Sequence, residues 1–275
     1  MVSANTPFAD IHCHLLPGLD DGAATLDVAL TMAEMAVADG IRTIVATPHQ
    51  LGNHAKNSGR RIREAVVRFQ RSLDARRLSL RVLPGGDVRI EPDLVRKIRT
   101  GEVLSLADHR RHVLLELPHN VYVPLERLLA ELASDGLVGI LSHPERNHGI
   151  LNQPSVLRPL VDHGCLLQIT AGSLTGSFGT QIKRFTESLV EQGLVHFVST
   201  DAHGVKARTP TLRSAFNQVR QLAGEDMAVN LCCRHPAAVA AGNTVPPGRQ
   251  KTKKKAWVGW LHWAFPSEHA TIEPI

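Results

Sequence analysis

The chain is predicted to fold as a closed or nearly closed α/β barrel. Three observations support this: seven short apolar runs, amphipathic helical patterns between them, and a metal-type residue closing nearly every run. Strand–helix alternation argues for parallel strands joined by crossover helices. A doubly wound open sheet shows the same alternation but concentrates its chemistry at one switch point. Chemistry at nearly every strand end fits a barrel, whose functional groups sit at the C-terminal ends of its strands. At 275 residues one large domain is the natural division.

In chain order, the first strand is expected at Phe8–His12 and the first helix at Leu26–Ala38. A second strand, Thr43–Thr47, leads to the helix Ile62–Leu78, whose apolar stripe is Ile62, Val66, Phe69 and Leu73. Then come the strands Leu80–Leu83 and Val113–Leu117, the helix Leu125–Ser134 and the strand Val138–Ser142. The helix Val156–His163, the strand Leu166–Thr170 and the helix Ile182–Gln192 follow, and His196–Thr200 and Leu212–Ala223 complete the series. Pro246-Pro247-Gly248 breaks the pattern. Beyond it lie a basic cluster from Arg249 to Lys255 and all three tryptophans, Trp257, Trp260 and Trp263. The expected organisation is therefore a domain at 1–245 and a basic, aromatic tail at 246–275. The tail has the composition of a segment that settles at a membrane–water interface, so peripheral membrane contact is one expectation.

Composition excludes several classes. The net charge is +5, but from Arg249 onward five basic and two acidic residues contribute three of those charges, leaving +2 on the first 248 residues. That is no nucleic-acid-binding surface. No apolar run reaches the ~18 residues of a membrane span, and Met1–Thr6 lacks the basic and apolar regions of a signal peptide. Four irregularly spaced cysteines (Cys13, Cys165, Cys232, Cys233) suit a reducing, cytoplasmic compartment. None begins a Cys-x5-Arg pattern, which excludes phosphatases of the thiolate type.

The first strand ends Asp10-Ile-His12-Cys-His14, and alternation points His12 and His14 the same way and Cys13 away. The Asp20-Asp21-Gly22 turn, taken alone, reads as an N-cap for the helix that starts near Thr25. Later segments end in His49, Asp87, Glu116, His143-Pro-Glu145-Arg146 and Asp201-Ala-His203. Any one of these is more often a cap or a satisfied buried polar group. Glu116 among Val113, Leu114, Leu115 and Leu117, however, is costly without a cation or a hydrogen-bond partner. About five imidazoles and four carboxylates converging at one end of a barrel point to two or three divalent ions. A set without thiolate favours Mn, Fe or Zn.

These motifs, in this order, resemble the PHP (polymerase and histidinol phosphatase) superfamily, and within it the bacterial CpsB/CapC-like tyrosine phosphatases of capsule and exopolysaccharide systems. The matching segments are Asp10–Gly22, Gly40–His49, Pro84–Ile90, Leu114–Leu117, Ile140–Asn147 and Ser199–Gly204. The resemblance implies a distorted (β/α)7 TIM-like barrel, a manganese-preferring site of three ions and hydrolysis of phosphotyrosine. It also implies a phosphotyrosine protein as partner, a membrane-bound bacterial tyrosine kinase that controls capsule or exopolysaccharide synthesis. Carried over by position, the implied ligands are His12, His14, Asp21, His49, Glu116, His143, Asp201 and His203. Arg146 and Arg208 fall where the family has phosphate-holding arginines. Asp87 stands where the family usually has a bridging glutamate. The rival readings are a histidinol-phosphate phosphatase or other PHP phosphoesterase, and a catalytically silent metal-binding regulatory protein.

Overall fold

The computed structural model describes residues 6–251 and is a curled, all-parallel α/β barrel. Its strands are β1 (Phe8–Cys13), β2 (Ile41–Ala46), β3 (His49–Gln50), β4 (Arg81–Pro84) and β5 (Asp87–Arg89), then β6 (His112–Glu116), β7 (Val138–Ser142), β8 (Leu166–Thr170) and β9 (Phe197–Ser199). They form one sheet of order β1-β2-β4 and another of order β3-β5-β6-β7-β8-β9. β3 prolongs β2 past Thr47-Pro48, and β5 prolongs β4 past Gly85-Gly86, so the sheets share seven strand positions. A parallel bridge between Cys13 and Ala202 brings the two ends together. The expected distorted (β/α)7 barrel is what the chain forms.

The two extra strands were not anticipated, and their causes are local. Pro48 has no N–H with which to continue a ladder. A Cβ on Gly85 would lie 2.7 Å from Val45 Cγ1, and one on Gly86 would lie 2.3 Å from Gln50 Oε1. The two glycines thus let β4 and β5 pass close to their neighbours where the sheet breaks.

The principal helices are α1 (Leu26–Asp39), α2 (Gly59–Ala75), α3 (Leu94–Arg99), α4 (Glu126–Ser134), α5 (His148–Asn152) and α6 (Leu157–Asp162), then α7 (Ala171–Thr175), α8 (Thr180–Glu191), α9 (Arg213–Ala223), α10 (Glu225–Val229) and α11 (His235–Ala240). Each of the six expected helices is present within three residues at either end. The Asp20–Asp21 pair does not cap α1. Thr25 does, accepting from the Val28 N–H at 3.3 Å. α2 begins three residues before its expected start because Ser58 caps it, and it ends before Arg77, which has φ of 56°.

Inside the barrel, Ile11, Val45, Leu114, Ile140, Leu166 and Phe197 form one apolar cluster, closed by Val239 and Ala240 of α11. The next inward positions are Glu116, Ser142, Gln168 and Ser199, two residues further along their strands. The plug therefore ends where polar chemistry begins. In β1 a register shift between Asp10 and Cys13 interrupts strict alternation: Ile11 belongs to the plug, while Cys13 packs with the outer core between strands and helices. Irregularities of this kind re-aim side chains beside functional sites.

Candidate metal centre

The structure brings all nine candidate His, Asp and Glu residues to the C-terminal mouth of the barrel. They form four overlapping groups: His14, Asp21, His49 and His203; His12, His14 and Asp87; His12, His143 and Asp201; His49, Asp87 and Glu116. His12 Nε2 lies 3.2 Å from Asp201 Oδ1 and 3.5 Å from Asp87 Oδ2. His49 Nδ1 lies 3.3 Å from Asp87 Oδ2 and 3.4 Å from Glu116 Oε2. Asp21, the most exposed of the nine, sits between His49 Nε2 at 3.5 Å and His203 Nε2 at 3.4 Å. Asp87 is the one carboxylate that belongs to two of the groups.

Three residues that sequence reasoning did not assign orient this set. Asp20 Oδ2 accepts from His14 Nδ1 at 2.6 Å and from the His49 N–H at 2.9 Å. Gln168 Oε1 lies 2.8 Å from His12 Nδ1. Both contacts occupy Nδ1 and leave each Nε2 facing the centre, the usual arrangement behind a metal-bound imidazole. Asp10 ties β1 to the end of β9: its Oδ1 accepts from the His12 and Thr200 N–H groups at 3.2 and 3.1 Å, and its Oδ2 from the Thr200 hydroxyl at 2.5 Å. Gln168 had a readable signal, a lone amide within Leu166-Leu167-Gln168-Ile169. Asp20 had no such signal: the Asp20-Asp21 turn, taken alone, reads as an N-cap, and the resemblance singles out Asp21 only.

Electrostatics follow from this crowding. Burial pulls the His14 imidazole down, but Asp20 and Asp201 outweigh it and leave the pKa raised to about 9. For His49, burial is likewise overcome by Asp87 and Glu116, and the pKa rises to about 11. Asp87 and Asp201 are held well below the carboxylate range despite burial, chiefly by His12 and, for Asp201, also by Arg146. Burial dominates at Asp10, whose pKa goes up to about 6.

Arg146 and Arg208 stand beside the cluster, and both donate to Asp201 Oδ2, Arg208 at 2.5 Å. The Arg146 guanidinium also lies over the Phe178 ring, 4.8 Å from its centroid. His143, Asp201 and Arg208 all have positive φ, of 31°, 49° and 50°. Such backbone costs roughly 1–3 kcal/mol per residue and persists where surrounding structure enforces it, commonly at functional sites.

The donor set fits divalent ions. Both oxygens of the fully buried Asp87, together with His49 Nδ1 and His203 Nε2, lack hydrogen-bond partners. Leaving such atoms unpaired is expensive, and a cation satisfies them. The imidazole–carboxylate chemistry suits Mn, Fe or Zn.

Comparisons with known proteins agree with this geometry. Over 201 residues, 72% of this chain and 78% of the relative, the chain is 43% identical to the tyrosine-protein phosphatase YwqE of Bacillus subtilis (strain 168). It is 25% identical to the tyrosine-protein phosphatase CpsB of Streptococcus agalactiae over 228 residues, 81% of this chain and 93% of that protein. A crystal structure from work on YwqE of Bacillus subtilis and CpsB of Streptococcus pneumoniae, described as unique metal-dependent tyrosine phosphatases, superposes with a TM-score of 0.84. The identity is 37%, covering 90% of this chain and all of that one. Dihydropyrimidinase from Brevibacillus agri, at 10% identity and a TM-score of 0.53 over 91% of this chain and 74% of that one, shares the fold alone. The family model for capsular polysaccharide synthesis, CpsB/CapC, matches residues 8–241, and the chain belongs to that family.

Proposed function

We propose that this chain is a metal-dependent tyrosine-protein phosphatase. The observation that carries the proposal is the convergence of nine imidazole and carboxylate groups, in four overlapping sets, beside two arginines at the barrel mouth. His12, His14, Asp21, His49, Asp87, Glu116, His143, Asp201 and His203 would hold two or three divalent ions, manganese in our reading. Bound there, such ions supply a water of lowered pKa and positive charge for the phosphoryl oxygens. Asp20 and Gln168 keep His14 and His12 in the tautomers that present Nε2. Arg146 and Arg208 turn from Asp201 to the phosphoryl oxygens, where guanidinium offers a two-pronged, charge-assisted grip. The leaving tyrosyl oxygen, with a pKa near ~10, needs little protonation to depart.

The relatives' names support phosphotyrosine in a protein as the substrate, and the family's place in capsular polysaccharide synthesis supports a bacterial tyrosine kinase of that system as the partner. No helix among the described residues is long and apolar enough to cross a membrane. Four buried free cysteines support a cytoplasmic setting. The family match ends at residue 241, which supports treating 246–275 as an appendage; its tryptophans lie outside the described residues.

The test is hydrolysis of a phosphotyrosine peptide by chelator-stripped protein, with and without added manganese. We expect turnover to vanish on stripping and to return with the metal. Turnover that ignores both treatments overturns the reading, as does a restored enzyme that cleaves histidinol phosphate and not the peptide.

A further inference from the structure

A cavity of ≈470 Å³ adjoins the metal centre between α7 with the loop that follows it and the segment after β9. Its walls include Ser177, Phe178, Thr200, Lys206, Arg208 and Thr209, and none of its lining residues carries a carboxylate. The volume lies within the range of pockets that take ligand groups. Two features join it to the reaction site. Thr200 and Arg208 line the cavity while flanking and pairing with Asp201. Phe178 forms a wall of the cavity and also carries the Arg146 guanidinium on its ring. Lys206 forms no ion pair among the described residues, in contrast to Lys183 and Lys97, which pair with Glu187 and Glu91.

We propose that this cavity binds an anionic side chain of the substrate peptide, a carboxylate or a second phosphoryl group, close in sequence to the phosphotyrosine being hydrolysed. The proposal rests on the phosphatase reading above and deepens it to a substrate preference. The chemistry is that of the lining: one uncommitted ammonium, that of Lys206, and several hydroxyl donors, with no acid to repel an anion, beside the Arg208 guanidinium that serves the phosphoryl group. Lys206 is the specificity-determining group. It is exposed and forms no ion pair with the metal-site carboxylates, so it acts on the flank and not on the phosphoryl group. Phe178 links the two, because an occupant that packs on its free surface steadies the ring that supports Arg146.

The experiment measures kcat/KM of the manganese-loaded, full-length enzyme on phosphotyrosine peptides. Each peptide carries one Glu, or one second phosphotyrosine, at each of three positions on either side, against Gln at the same place. p-Nitrophenyl phosphate, which has no flank, is the control. For the wild type, an anion at one or two positions should raise kcat/KM about two- to fivefold over Gln, mainly through KM, the scale of an exposed charge pair. Lys206→Glu should erase that preference and Lys206→Arg should keep it. Both variants should turn over p-nitrophenyl phosphate within twofold of wild type. An anion preference at no position overturns the inference, as does a Lys206→Glu enzyme equally impaired on flanked and unflanked substrates. A wild type that hydrolyses none of these substrates brings down the phosphatase reading first and this inference with it.

Discussion

Gly22→Ala is the most exacting test of the site's construction, because it adds one methyl group and removes no ligand. A Cβ built on Gly22 would lie 2.2 Å from His14 O and 2.5 Å from His14 Cβ. Ordinary van der Waals contact begins near 3.4 Å, so the turn and the His14 backbone must separate by about 1.2 Å. Neither side yields easily. His14 is held by its N–H to Ala202 O at 2.9 Å and by its carbonyl to the Ala23 N–H at 3.1 Å. The turn carries Asp20, bonded to the His14 ring, and Asp21, which faces His49 and His203. Displacement of about an ångström at a reacting centre costs on the order of 100-fold in rate, and overpacking costs about 1–3 kcal/mol of stability. We expect Gly22→Ala to lower kcat/KM on a phosphotyrosine peptide by roughly that factor, with weakened manganese affinity in a metal titration and a nearly unchanged circular dichroism spectrum. Wild-type turnover together with wild-type manganese affinity would refute the reasoning, because it would mean that the turn and His14 relax independently.

Three further outcomes follow. If Asp87 bridges two ions, Asp87→Asn loses metal and activity while Asp87→Glu retains both; metal content by mass spectrometry decides, and a metal-replete, active Asp87→Asn counts against the bridge. His196 is buried with its pKa lowered from 6.5 to about 4, mainly by burial, and its ring lies 3.1 Å from the Leu167 N–H and 2.9 Å from Gly248 O. A depressed imidazole pKa means that the unfolded chain takes the proton first. This contribution is therefore complete above about pH 6.5 and lost towards pH 4, about 2 kcal/mol of it between pH 7 and 5. Urea unfolding at those two pH values should show a smaller drop for His196→Asn, and an identical drop would exclude His196 as the source. The C-terminal tail predicts that the full chain cosediments with anionic vesicles at low salt and a chain ending at Lys251 does not, at about 1 kcal/mol per basic residue near the leaflet; equal recovery in both supernatants ends the membrane idea.

Much of this protein was legible before any coordinates. Apolar runs at Val138–Ser142 and Leu166–Thr170 coincide with β7 and β8 to the residue, because a strand buried on both faces has a short, continuous apolar pattern set by local chemistry. The nine metal-site candidates were legible for a related reason. His and carboxylates just past a buried strand have few uses, although Glu116 is not buried like Val113-Leu114-Leu115: its side chain keeps 27% exposure, so its place beside His49, and not the cost of burial, marks it.

Other features depended on partners far away in sequence. Which aspartate of Asp20-Asp21 orients an imidazole and which faces the cluster was decided by His14, His49 and His203, and the helix cap they resembled went to Thr25. Gln168 acquired its role from His12, 156 residues earlier. The strand breaks at Pro48 and Gly85-Gly86 required knowing that β2 and β4 are neighbours. The tail's first residues return to the barrel, where the Gln250 N–H donates to Gly193 O at 2.7 Å and Gly248 O meets His196, so its separation from the domain begins later than composition suggested. Residue type and period alone determined that this chain builds a parallel barrel rimmed with metal-type side chains. Closure of the barrel decided which of them touch and which neighbours aim them, because those contacts join residues that no local periodicity relates.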